Sequence, residues 1–193
     1  MTDLRLYAAD GEESLAFVER TLAASDLPAE DVRTSPGRFY VAVEDDHTIE
    51  DDHLIESAHR IENGRRVEDD HRIESGHRIE DDHRIENGRR VGVGGLESYG
   101  TVGLLRSVAV VPDERGRGLG TALCDALESI ATERGVVTLF LLTTTASKFF
   151  TERGFERIDR GTVPDSIQRT SEFSDLCPRE ATCMRKRLDV RTN

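Results

Sequence analysis

Read for its apolar and polar positions, the chain alternates short strands with amphipathic helices and is interrupted once by a long polar tract. Leu4-Arg5-Leu6-Tyr7-Ala8 alternates as a half-buried strand does. Leu15, Val18, Leu22 and Ala23 share one helical face, which Asp10 can cap, with Glu13 three residues on completing a capping box. Leu27-Pro28 ends that helix, and Glu30 to Arg33 suit a second short one. Phe39 to Val43 is continuously apolar, as a buried strand is. Beyond the tract, Leu104 to Val111 reads as a central strand, and Pro112 ends it because proline has no N–H for a ladder. Leu119, Leu123, Ala126, Leu127 and Ile130 then mark one face of a helix, with Gly135 past its end. Val136–Leu142 predicts a strand buried on both faces, and Thr143 opens a helix through Phe149 and Phe150 that closes at Gly154. Phe155–Arg160 predicts a strand, Pro164 to Leu176 a helix, and Ala181–Leu188 a last strand.

The tract runs from Asp45 to Gly92 in hexads such as DDHTIE and DDHRIE, with one aliphatic every six residues from Ile49 to Val91. All six histidines lie in it, along with 15 acidic and 8 basic residues, so it carries most of the net charge of −12. On a helix a six-residue step scatters the aliphatics to three directions and builds no face. A meander of short strands opposes aliphatics with arginines, so no face becomes apolar. A parallel β-helix wants small inward residues where this chain has His or Arg. Three readings remain, in this order: a polar, flexible tandem expansion, a ragged hairpin, and a histidine metal array without a tight H-x-x-H pair or a thiolate. Without the repeats, Phe39–Glu44 would meet Arg89–Leu96 across one Asn-Gly turn, an ordinary hairpin. The expectation is therefore a single domain over residues 1–193, with 45–92 inserted at a hairpin tip.

The stretch Arg115-Gly116-Arg117-Gly118-Leu119-Gly120 sits between the central strand and a helix start. Strand, glycine turn and helix N-terminus in that order make an anion cradle, because glycines expose N–H groups and the helix start adds partial positive charge. The dinucleotide fingerprint fails at Thr121, and no Gly-Lys-Ser/Thr follows for a P-loop. The spacing Arg115-x-x-Gly118-x-Gly120 resembles the pyrophosphate loop of the GNAT superfamily of acetyl-coenzyme-A-dependent N-acetyltransferases. That resemblance implies an α/β (α+β) fold, a central mixed sheet flanked by helices, and covers the chain outside the repeats. Three further segments are similar to one subgroup, the arsenic-resistance-associated N-acetyltransferases: Leu104–Val110, Leu141–Ala146 with Phe149-Phe150, and Thr170-x-Glu172-Phe173-x-x-Leu176-Cys177-Pro178.

By the same resemblance, Val108, Ala109 and Val110 hold the acetyl carbonyl and pantetheine arm of acetyl-CoA, and Arg115, Gly116, Arg117, Gly118, Leu119, Gly120 and Thr121 hold the pyrophosphate. Thr143 and Phe150 stand where the family commonly has Asn and Tyr. Phenylalanine cannot protonate the departing thiolate, so solvent or another hydroxyl must do so, or the thiolate leaves unassisted. The transfer needs a base for the ammonium proton, and Glu97 and Glu172 are the candidates, each equally readable as a solvated carboxylate. Arg106 and Ser107 are the candidate acceptor residues, Arg106 as a cation for a carboxylate or arsonate or else a salt-bridge partner; Arg160 and Arg169 come second. Cys124, Cys177 and Cys183 are an odd thiol count that fits a reducing cytoplasm, and soft thiolates could also take trivalent arsenic, though single buried thiols are commoner.

Composition narrows the partners. A charge of −12 argues against nucleic acid or an anionic membrane as the main partner. Two lysines against 38 acidic residues suggest adaptation to high salt. No apolar leader is visible at MTDLRLYAAD, which points to the cytoplasm, and no metal is expected. The partners expected are a small-molecule amine and, as the one protein partner, a second copy in a homodimer. The rival to an enzyme is a module that binds acetyl-CoA or a metalloid and senses it without turnover.

Overall fold

The computed structural model describes residues 4–35, 37–44, 84–85 and 88–189. The repeats up to residue 83, with their histidines, lie outside the described residues. The strands are β1 (Leu4–Ala8), β2 (Arg38–Glu44), β3 (Arg84–Ile85), β4 (Gly88–Tyr99), β5 (Val102–Val110), β6 (Thr138–Thr143), β7 (Glu156–Arg157) and β8 (Thr182–Arg187). They form one mixed sheet in the order β1-β2-β4-β5-β6-β8-β7, with β3 on β4. Among the described residues only β5 and β6 run parallel. The hairpin flanking the repeats is present, since Glu44 pairs with Arg89 and Val41 with Val93.

Helix α1 (Glu12–Ala23) covers one face and α2 (Leu119–Glu133) the other. Phe17, Val18 and Leu22 pack on Phe39, Val41, Val43 and Val93, while Leu119, Leu123 and Leu127 pack on Tyr40, Ala42 and Leu105. Covering both faces explains why β2 is a continuous apolar run rather than an alternation. Gly94 lets α2 approach, because a Cβ there would meet Leu127 Cδ1 at 2.5 Å.

Several local expectations need correction. The α1 face is centred on Phe17 rather than Leu15, and Ala23 is exposed. Gly11, not Asp10, occupies the α1 N-cap and has no side chain to bond with, and Glu13 pairs with Arg90 at 2.5 Å. Residues 30–34 form a turn, not a helix. In α2, Cys124 and Ala131 are buried in addition to Leu119, Leu123 and Leu127, while Ile130 packs on the same core partly buried. The helix predicted over 164–176 is two pieces, α4 (Asp165–Gln168) and a π-type turn at Glu172–Leu176. The Thr170 hydroxyl donates to the Ile167 carbonyl at 2.7 Å and closes the first piece, as local side-chain bonds do.

Candidate functional site

The sheet splits where its parallel pair ends. Val102–Leu104 pair with Thr138–Phe140, and beyond that β6 stays on β8 as far as Thr143 while β5 stays on β4. The wedge between Leu105–Val110 and Leu141–Ala146 is a cleft of about 780 Å³. Ligand sites belong at such carboxyl ends of diverging strands. A bulge bends β5 at this point: Val93 faces Ala109 and Gly95 faces Arg106, which leaves Ser107 with φ 54. Left-handed backbone at a non-glycine residue costs about 1–2 kcal/mol, and bulges recur beside sites where backbone groups must be re-aimed. Val108, Ala109 and Val110 follow, on an edge that no strand pairs on the β6 side among the described residues.

From Val110 the chain turns through a single 3-10 turn at Pro112–Glu114 into the loop. Gly116 and Gly118 both have φ 81, and a Cβ at either would meet nothing within 4 Å. Glycine is thus required there for its backbone conformation, and the space above the loop is open. Gly118 is the N-cap of α2. Arg115 lines the cleft, donating from Nε to the Val110 carbonyl at 3.1 Å and from Nη2 to Ser25 Oγ at 3.0 Å. Arg117, expected beside it, turns away to Glu44 at 2.9 Å and to Glu114. Leu119 is a core residue, and Thr121 lines a separate shallow depression with Asp125 and Phe149. Across the cleft, Thr143 Oγ1 accepts from the Ala146 N–H at 3.0 Å and shapes the turn into α3 (Ser147–Glu152). Phe150 lines the cleft and stacks edge-on against Phe149 and Phe155.

At the other end of the cleft Arg106 is not a free cation. Its side chain is 1% exposed and faces three carboxylates that are 2–12% exposed. Asp31 takes two bonds, 2.6 Å from Nη1 and 2.7 Å from Nη2, and Glu97 takes one at 3.0 Å. Glu172 Oε2 lies 3.0 Å from Nη2 as an ion contact, yet no hydrogen-bond donor is aligned with that buried oxygen. Burial alone would raise the Asp31 carboxyl, but bonds from Arg106 and Ser171 outweigh it and hold Asp31 below its ordinary range. Tyr99 donates to Glu97 at 2.6 Å, Ser35 to Glu97 at 3.2 Å, Ser171 to Asp31 at 2.5 Å and the Cys177 thiol to Glu172 at 3.0 Å. Burial first, then the Glu172 charge, pushes that thiol up to about 12.

The structure therefore sorts the expected site residues. Arg106, Ser107, Glu172 and Cys177 line the cleft with Val108–Val110, Thr143 and Phe150. Glu97 accepts from Arg106 and is not among the residues that line the cleft. Arg106 as a hook for an acceptor anion is corrected, since its partners are internal. Arg160 is bonded to the carbonyls of Phe173 and Pro178. Cys124 and Cys183 belong to different core clusters, and among the described residues no group of three His, Cys, Asp or Glu is placed to hold a metal. Asp31 was missed: it comes from the turn after α1, and nothing in its neighbourhood marks it.

A domain model described as "Acetyltransferase (GNAT) domain" matches residues 77–157, from the repeat end through β7. An uncharacterized N-acetyltransferase of Chlorobaculum tepidum is 33% identical over 79 residues, 41% of this chain and 48% of that protein. The amino-acid acetyltransferase of Ectopseudomonas mendocina is 42% identical over 67 residues, 35% of this chain and 14% of that protein. The chain thus spans about half, or less, of the length of these relatives. N-acetylglutamate synthase from Neisseria gonorrhoeae, solved with coenzyme A and L-arginine, superposes with a TM-score of 0.61 at 15% identity, covering 98% of this chain and 34% of that one. The fold is the GNAT fold, and residues 77–157 are similar to the acetyltransferase (GNAT) domain model. No helix among the described residues is long and apolar enough to cross a membrane.

Proposed function

We propose that the protein is an acetyl-CoA-dependent N-acetyltransferase acting on the amine of a small molecule. One observation carries this: the open β5 edge and the glycine cradle are continuous, so a single extended ligand can lie along Val108–Val110 and end at Arg115–Gly120. The residues fit acetyl-CoA. The edge offers backbone groups to the pantetheine arm, the loop has room and a helix start for the pyrophosphate, and Arg115 adds a cation. When bound, acetyl-CoA supplies the thioester carbonyl. Backbone N–H groups at the bulge of Ser107 and Val108, on the unpaired strand edge, would be the donors to that carbonyl, and Phe150 and Leu141 keep the wall apolar. Of the three carboxylates around Arg106, Glu172 is the one that lines the cleft, and it is the base we propose for the ammonium proton. Phe150 cannot return a proton to the leaving thiolate, which at its ordinary pKa needs little help near neutrality.

An amino-acid or amino-acid-like acceptor follows from the amino-acid acetyltransferase relatives. An arsenic-containing acceptor, and with it arsenic resistance, follows only from the resemblance of three sequence segments. Phe150 in place of a hydroxyl favours one second reading, a module that binds acetyl-CoA without turnover. Release of free coenzyme A over an amine panel separates the two. The donor site itself is tested with Gly120→Glu, where a side chain has room beside Phe149 and Val110 but brings a negative charge to the cradle. Acetyl-CoA affinity should fall at least about tenfold; an unchanged affinity in the folded variant would overturn the assignment.

A further inference from the structure

The floor of the acceptor end holds more negative charge than it neutralises. Asp31, Glu97 and Glu172 are three carboxylates around the single guanidinium of Arg106, a formal surplus of two negative charges in a buried cluster. Buried ions are normally matched, because an unmatched one keeps its full desolvation cost. The other donors into the cluster, Tyr99, Ser35, Ser171 and Cys177, are neutral groups that satisfy lone pairs without cancelling charge. Arg160 does not join it, since its bonds go to the Phe173 and Pro178 carbonyls. The cluster is also incomplete where it meets the cleft. Glu172 is 5% exposed, lines the cleft, and its Oε2 has no hydrogen-bond donor. Glu172 opens the π-type turn and is buried there. Around the mouth, the ionisable residues on the loop after α1 are Asp26 and Glu30, again acidic, while Arg115 is engaged at the cradle end.

We propose that the acceptor is a compound bearing positive charge beyond its reacting amine, such as a diamine or a basic amino acid: its reacting ammonium is seated on Glu172, which then takes the proton, and its further charge is matched by the acidic surplus of the floor and by Asp26 and Glu30 at the mouth. This rests on the acetyltransferase reading and narrows its acceptor. Arg106 already faces three carboxylates and its remaining donor, Nε, is buried, whereas Glu172 lines the cleft with an oxygen that has no hydrogen-bond donor, and a cation on its way in passes Asp26 and Glu30. An acidic amino acid would bring a second negative charge to a floor that already has two in excess.

The test is calorimetric titration of 1,4-diaminobutane and of glutamate into the protein, first free and then saturated with coenzyme A, at two sodium chloride concentrations. The diamine should bind at least about tenfold more tightly than glutamate, and its affinity should fall as salt rises. Glu172→Gln should remove about tenfold of the diamine affinity and leave glutamate unchanged. Glu30→Gln, at an exposed site where folding is not in question, should weaken the diamine about twofold. Glutamate binding as tightly as the diamine, or diamine affinity indifferent to salt and to both variants, would overturn the proposal. Failure of coenzyme A to bind, with diamine selectivity intact in the free protein, would instead overturn the acetyltransferase reading, and with it the role of acceptor, while the cation preference of the cleft stood.

Discussion

At the Arg115–Gly120 loop the chain offers backbone groups from six consecutive residues, held by two left-handed glycines and a helix start. At the Arg106 floor it offers side chains from four separate segments, with Asp31 75 residues from Arg106 and 140 from Ser171. The two ends share one strand, β5, and differ in what a substitution can reach. Backbone recognition is indifferent to most side chains, so one loop can serve many relatives that share a ligand. A floor of interlocked ions depends on every member, so it can change acceptor only by being rebuilt. That contrast assigns generality to the loop and selectivity to the floor.

The sharpest break of the contrast is Arg106→Met. It leaves three buried carboxylates with no cation, and removal of one partner of a buried ion network costs about 3–5 kcal/mol. For a domain of this size that is a fall in Tm on the order of 10 °C, while coenzyme A affinity of the folded fraction should change less than about twofold. A thermal melt within a few degrees of the parent would mean the floor is not a unit. The pH dependence of the parent has a fixed sign. Asp31 is held below its ordinary value, so its contribution is present above about pH 3.9 and is lost as pH falls through its lower folded value.

The same contrast explains what could be read from the chain. The loop was legible because its residues are contiguous and each has a local reason: Pro112 to end a strand, Gly118 to open a helix. The strands were legible from continuous apolar runs, since both sheet faces are covered. The floor was visible only in its parts. Arg106, Glu97 and Glu172 stood out one by one, and a salt bridge stood beside an anion hook as the reading of Arg106, but nothing local pairs them or brings Asp31 to them. The break at Thr170 was equally hidden, because pieces of four and five residues hold too few apolar positions to fix a period.

Cys177 sharpens the picture of the floor at a smaller scale. Burial and the Glu172 charge push its thiol up to about 12, so at pH 8 only about one molecule in ten thousand carries the thiolate. Iodoacetamide should label it far more slowly than a free thiol. Glu172→Gln removes the neighbouring charge but not the burial, so labelling should rise about tenfold and stay below the free rate. No change would show that Cys177 does not sense Glu172. The sign for stability is opposite to that of Asp31: above about pH 8.5 the unfolded thiol ionises and the folded one does not, so stability declines as pH rises.

The smallest effect belongs to the loop and tests whether it is as independent of side chains as the comparison holds. Arg117 is expected to face the pyrophosphate, yet Glu44 at the end of β2 binds it through both oxygens and Glu114 binds it again. Arg89, which pairs with Glu44 across the hairpin, shares both carboxylates, at 3.3 Å and 2.7 Å. The residues that frame the repeat tract thus hold an arginine of the cradle. Glu44→Gln loosens that hold and leaves Glu114 in place. Exposed pairs of this kind contribute little, so coenzyme A affinity should rise only about two- to fivefold, with the gain shrinking as salt screens the arginine. A gain at low salt would make Arg117 a reserve cation restrained by the hairpin base. An affinity that stays level or falls would show that Arg117 serves the loop by fixing its shape, and the cradle would then bind through backbone and Arg115 alone.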